Sequence, residues 1–119
     1  MFFDGFSCRE GQGVGIVLIS PEGVVFETSV HLEYFCTNNQ AEYEAILLGL
    51  QILDSMDVKN IEAFGDSLLV VQQILGNYQC FDSALNVYLD KCSDIIATLD
   101  DFSVSHISGD ENTRANDLA

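Results

Sequence analysis

The amino-acid sequence predicts a mixed α/β fold, a five-stranded sheet flanked by helices, on three observations. The first 33 residues hold three β-prone segments joined by short connections. At Thr37 the apolar period switches to that of a helix. Beyond it, short apolar strands alternate with helical stretches, so the later strands need crossovers and pair in parallel. Three antiparallel strands followed by two parallel ones is the expected sheet.

Each element has its own signal. Met1 to Phe6 reads as a strand, and Gly11-Gln12-Gly13-Val14-Gly15 as a flexible turn feeding the buried strand Ile16 to Ile19. Ser20-Pro21-Glu22-Gly23 carries turn chemistry ahead of Val24 to Leu32, which is rich in β-branched residues. Thr37 with Gln40 fits a capping box, opening a helix from Asn38 to about Met56. Ile61 to Phe64 is a short strand ending at Gly65-Asp66. Ser67 to Leu75 is an apolar helix closed by Gly76. Ser83 caps a third helix with the stripe Leu85, Leu89, Cys92, Ile96 and Leu99. Phe102 to Ile107 alternates as a strand, and Asn112 begins a helix.

At 119 residues and 48% hydrophobic content, the expectation is a single domain over 1–119, its last helix cut short at Ala119. The longest apolar runs, Ile46 to Leu50 and Leu68 to Val71, fall far below the roughly 18 to 20 residues of a membrane span. No charged-then-apolar leader precedes them. Cys8, Cys36, Cys80 and Cys92 lie apart without zinc spacing, which reads as reduced thiols of an intracellular, non-secreted, non-membrane protein in cytoplasm or nucleus. Gly11-x-Gly13-x-Gly15 precedes a strand rather than a helix, which excludes a dinucleotide loop.

Three acids stand out. Asp4 lies inside a strand, sharing a face with Phe2. Helical phase, about 100 degrees per residue, puts Glu42 in the buried stripe with Ala45, Ile46, Gly49 and Leu53. The same phase leaves Gln40, Glu44, Gln51, Asp54 and Ser55 to solvent. Asp66 follows a strand at its carboxyl end, where open α/β sheets gather ligand groups. Taken singly, each has a structural alternative: Asp4 as the end of a strand turning at Gly5, Glu42 as a partner of the helix dipole, Asp66 as an N-cap. Together they form an acidic cluster at one sheet edge, which repels itself unless cations sit in it.

F-D-G at 3 to 5, T-N-N-Q-A-E at 37 to 42, F-G-D-S at 64 to 67 and H-I-S-G-D-E-N-T-R-A-N-D-L-A at 106 to 119 resemble the type 1 ribonuclease H signature, in order and spacing, over essentially the whole chain. The nearest flavour is the ribonuclease H module of plant-type long-terminal-repeat retroelement polyproteins and their free-standing relatives. The resemblance implies a ribonuclease H-like fold and hydrolysis of the RNA strand of RNA·DNA hybrids, leaving 5′ phosphate and 3′ hydroxyl ends. It implies that Asp4, Glu42 and Asp66 bind two Mg²⁺ or Mn²⁺ ions, and that His106 assists proton movement or product release. Asn38 and Asn39 match residues at the hybrid's minor groove, with a helix-cap role as their alternative. Gly5 and Ser67, beside the acids, carry over as substrate contacts.

Departures matter too. The family's fourth acid falls on Asn116, with Asp117 one residue later as the alternative ligand. Leu68 stands where a polar substrate contact is common, and Phe6 where a small residue is. Asn77 to Asp82 leaves no room for the basic, tryptophan-bearing handle of some bacterial members. Only Arg9, Lys59, Lys91 and Arg114 oppose 19 acidic residues, a net charge of -15, so unaided affinity for nucleic acid is expected to be weak, with other domains of a longer polypeptide as helpers. The rival reading is a catalytically weak or silent domain of the same fold, kept as a nucleic-acid or protein interaction module. Integrase-like or exonuclease acid spacings are not found.

Overall fold

The computed structural model describes residues 1–8, 11–33 and 36–118, apart from the side chains of Phe6, Ser7, Cys8, Asn116 and Leu118. Its elements follow in the order β1 (Phe2–Cys8), β2 (Gly11–Ile19), β3 (Val25–Leu32), α1 (Asn38–Ser55), β4 (Asn60–Gly65), α2 (Leu68–Leu75), α3 (Ser83–Ile96), β5 (Asp101–His106) and α4 (Thr113–Leu118). The five strands form one sheet in the order β3-β2-β1-β4-β5. β1, β2 and β3 pair antiparallel, while β4 joins β1, and β5 joins β4, in parallel. This is the mixed sheet the sequence predicts, because crossovers through α1 and through α2 and α3 return the chain in the same direction.

One local expectation is corrected. Gly11 to Gly15 is not a turn but the first half of β2, with Gly15 opposite Asp4 and Gly13 opposite Phe6. Pairing on both sides, with β1 and with β3, satisfies the backbone groups of this glycine-rich stretch, and tertiary pairing overrides its turn propensity. β1 accordingly continues past Asp4 to Cys8, so Asp4 does not end a strand. The turn before β3 is as expected: the Gly23 amide donates to the Ser20 carbonyl at 2.9 Å, with Gly23 at φ 86.

Helix ends follow side-chain chemistry. At α1 both halves of the capping box are present: Thr37 Oγ1 accepts from the Gln40 amide and Gln40 Oε1 accepts from the Thr37 amide. The cap of α3 is Asp82 rather than Ser83, since Asp82 Oδ1 accepts from both Ala84 and Leu85 amides. Gly76 ends α2 in the left-handed region at φ 82. α4 begins at Thr113, one residue after the expected start.

The core lies where α1 covers the sheet. Phe3, Val14 and Ile16 from the strands meet Tyr43, Ile46 and Leu50 from the helix, all fully buried. α3 packs on α1 in turn, so α1 is enclosed on more than its sheet-facing stripe, and even Tyr43 and Leu47 are buried. Tyr43 keeps its hydroxyl satisfied by donating to Gln73 Oε1 of α2 at 2.7 Å. α4 packs instead against β1, β2 and β3, burying Ala115. No helix among the described residues is long and apolar enough to cross a membrane.

Candidate metal centre

β1 and β4 are in register at only two pairs, Phe2 with Phe64 and Phe3 with Gly65. Past them β4 ends while β1 runs on, so the two parallel strands fork. Asp4 and Asp66 are the first residues beyond the last pair, one on each side of the fork. Open α/β sheets place ligand groups at such points because diverging strand ends leave a crevice that no strand fills.

Glu42 reaches the same place from α1, and Gly5 is what permits it. A Cβ at Gly5 would stand 2.1 Å from the Ala41 carbonyl carbon and 2.3 Å from the Glu42 amide nitrogen, so only glycine lets the start of α1 seat directly on β1. One ligand oxygen from each of Asp4, Glu42 and Asp66 then lies within 4.8 Å of the other two. Asp4 is 8% and Glu42 7% exposed, and Asp66 is half-buried. Asp66 is free of capping duty, because Ser67 Oγ takes the Val70 amide at 3.4 Å as the N-cap of α2.

Burial dominates the electrostatics. It pushes the Asp4 carboxyl up to about 6, the charge of Asp66 adding to the rise while hydrogen bonds from Glu42 and the Gly5 amide oppose it. Burial likewise pushes Glu42 up to about 10, reinforced by the hydrogen bond and charge of Asp4, with the Gly5 amide again opposing. Without a cation, then, the pair holds protons that isolated carboxyls would release. Glu42 Oε2 is buried with no hydrogen-bond partner among the described residues. Three carboxylates around an unmet oxygen acceptor fit a hard divalent cation, which takes oxygen ligands and neutralises their repulsion.

The remaining expected residues are placed as follows. His106 ends β5 opposite Gly65, exposed, and is not one of the three clustered ligands. Asn38 and Asn39 occupy the first turn of α1 but do not cap it, since Thr37 does. Gly5 is buried under α1, and Ser67 is engaged as an N-cap. The side chain of Asn116 lies outside the described residues; Asp117 is exposed and contributes nothing to the cluster. Cys36 and Cys92 are buried, Cys80 is half-buried, and the side chain of Cys8 lies outside the described residues. Sequence reasoning missed one residue near the fork, Asn112, which is 1% exposed. The sequence marks it only as a helix start, and nothing local marks it as buried.

A family model described as "Reverse transcriptase-like" matches residues 2–119. Ribonuclease HI of Halobacterium salinarum is 34% identical over 121 residues, an alignment covering 99% of this chain and 60% of that protein. The chain therefore spans about three-fifths of that curated relative's length. The crystal structure of RNase H1 from the halophilic archaeon Halobacterium salinarum NRC-1 superposes with a TM-score of 0.91 at 33% identity, covering 99% of this chain and 91% of that one. LC11-RNase H1, crystallised in complex with an RNA/DNA hybrid, gives a TM-score of 0.88 at 28% identity, covering 98% and 90%.

Proposed function

Because the chain belongs to the reverse transcriptase-like family, we propose that it is a type 1 ribonuclease H domain, cutting the RNA strand of RNA·DNA hybrids with divalent metal held by Asp4, Glu42 and Asp66. The observation that carries this reading is the convergence of those three carboxylates within 4.8 Å at the fork of two parallel strands. A protein whose solved structure includes an RNA/DNA hybrid shares the fold, which supports a hybrid as substrate here.

Mg²⁺, or Mn²⁺ in its place, is the ion that carboxylate oxygens of this kind select, and two ions is the stoichiometry proposed. When bound, such ions supply an activated water and neutralise charge at the phosphate under attack. The protein's own contribution is placement. Gly5 seats α1, its amide steadies the Asp4 and Glu42 carboxylates, and Ser67 starts α2 so that Asp66 stays at the fork. The exposed His106 ring, on the neighbouring strand end, would assist proton movement or product release. Asn38 and Asn39, at the start of α1, face the minor groove, where 2′-hydroxyls identify RNA. Asn116, or Asp117 after a small shift of α4, supplies a weaker fourth ligand. Residues 1–119 would form one domain, acting in cytoplasm or nucleus, with further domains of a longer polypeptide aiding its grip.

The net charge of -15 favours one rival, a catalytically silent domain of this fold retained for binding. The two separate on a labelled hybrid at low salt. With Mn²⁺ the chain should cut the RNA strand, and chelator should stop it. Asp4→Asn should lower the rate about a thousandfold, since losing several kcal/mol of charge stabilisation costs tenfold per about 1.4 kcal/mol. An intact hybrid in every lane would leave the silent reading standing.

A further inference from the structure

The segment that follows β5 is tied to both arms of the fork. The Ile107 amide donates to the Gly65 carbonyl at 2.9 Å. The Asn112 side chain donates from Nδ2 to the Phe3 carbonyl at 2.9 Å, across 109 residues of sequence. Phe3 and Gly65 are the last register pair of β1 and β4. Each tie therefore lands on the residue immediately before an acid, Phe3 before Asp4 and Gly65 before Asp66.

Asn112 is an expensive residue to place there. It is 1% exposed, and its Oδ1 is buried with no partner among the described residues. An unmet buried acceptor gives up its hydration without a hydrogen bond in return. Leucine, of similar volume, would avoid that cost; what it would lack is the donor to Phe3. The orientation is fixed as well, since turning the amide over would set Oδ1 against the Phe3 carbonyl oxygen, acceptor to acceptor. The residue is held from its own side by its backbone amide, which donates to the Ser108 and Gly109 carbonyls at 3.1 Å each. The Glu111 amide donates to Ser108 Oγ within the same turn.

We propose that Asn112 is a positioning residue for the metal centre: its amide occupies the point where β4 leaves β1 and thereby sets Asp4 relative to Asp66. The inference rests on the reading of Asp4, Glu42 and Asp66 as a metal site. It makes the turn before α4 part of the centre, although that turn supplies none of the three clustered ligands. It also gives Asn116 and Asp117 a fixed origin, because α4 starts from the residue that is pinned to β1.

The test is Mn²⁺ binding to the whole chain by titration calorimetry, comparing wild type with Asn112→Ala and Asn112→Leu below the melting temperature of each. Partners of this indirect kind are worth about 10- to 100-fold in metal affinity. Both variants should therefore bind Mn²⁺ at least about tenfold more weakly than wild type. A purely structural role predicts lower melting temperatures with unchanged affinity, above all for the volume-matched Asn112→Leu, and that result would overturn the proposal. Should neither variant fold, exchange of the Asn112 side-chain amide protons in the wild-type protein decides. Saturating Mg²⁺ should slow it, and unchanged exchange would sink the idea. A wild type that binds no Mn²⁺ removes the metal-site reading and this proposal with it. Binding that is equal in wild type and variants removes this proposal alone.

Discussion

At the fork between β1 and β4, three carboxylates from two strand ends and a helix are brought within 4.8 Å of one another and largely out of water. Over the rest of the molecule, 16 acidic residues, the 19 of the chain less the three at the fork, face only four cations. Lys59 already pairs with Asp57 at 3.7 Å, and Arg114 with Glu27. The two regions are acidic for different reasons. Those at the fork are held by backbone contacts that a cation would complete, whereas the surface acids are diffuse, solvated and of a sign that repels phosphate. On the proposed function, cleavage chemistry and grip on the substrate would be separable properties, each open to disturbance without the other.

The sharpest way to break the contrast is Gly5→Ala, which touches no surface charge. The added Cβ would press on the Ala41 and Glu42 backbone, and α1 must lift from β1. We expect a loss of about 1 to 3 kcal/mol in denaturant melts, typical of an overpacked contact, with weakened Mn²⁺ binding. Wild-type Mn²⁺ affinity in this variant would show that the seat of α1 does not set the centre.

A smaller effect is expected from pH in the absence of metal. Asp4 is raised to about 6 and Glu42 to about 10, so the folded state keeps protons that the unfolded chain releases near the ordinary carboxylate value of about 4. The stability this contributes is complete below about pH 4 and is lost as pH rises through about 6 and on towards about 10. In chelator, melting temperature should fall between about pH 5 and about pH 8. Glu42→Gln should flatten the profile, and an equal slope in that variant would assign the effect to the surface instead.

Smallest is the response to salt. Screening of surface self-repulsion should raise the melting temperature of the metal-free protein as KCl is added. Hybrid affinity should weaken with a log–log slope no steeper than about -4, because four cations release at most about 0.9 counterion each. A steeper slope would mean that phosphate contacts arise from a source other than this chain's Lys and Arg.

Much of this was legible from sequence because it is local. The Thr37 and Gln40 box, the selection of Glu42 over Glu44 by helical phase, and the strand-end position of Asp66 depend on spacing within a few residues. What escaped depends on partners far along the chain. Gly11 to Gly15 looks like a turn until β1 and β3 flank it. Choosing Ser67 over Asp66, or Asp82 over Ser83, as a cap is a matter of one residue's backbone angle, which composition does not encode. Asn112 has no local signature at all, since its meaning lies in a carbonyl 109 positions earlier.

The burial that holds the Glu42 carboxyl well above its usual value also bears on calorimetry. A centre that keeps protons on its carboxyls until a cation arrives must expel them on binding. The heat measured on titrating Mn²⁺ near neutral pH will then include the heat of neutralising the buffer. Repeating the titration in buffers of differing ionisation enthalpy counts the protons displaced. The binding isotherm becomes a direct report on how the empty centre is protonated.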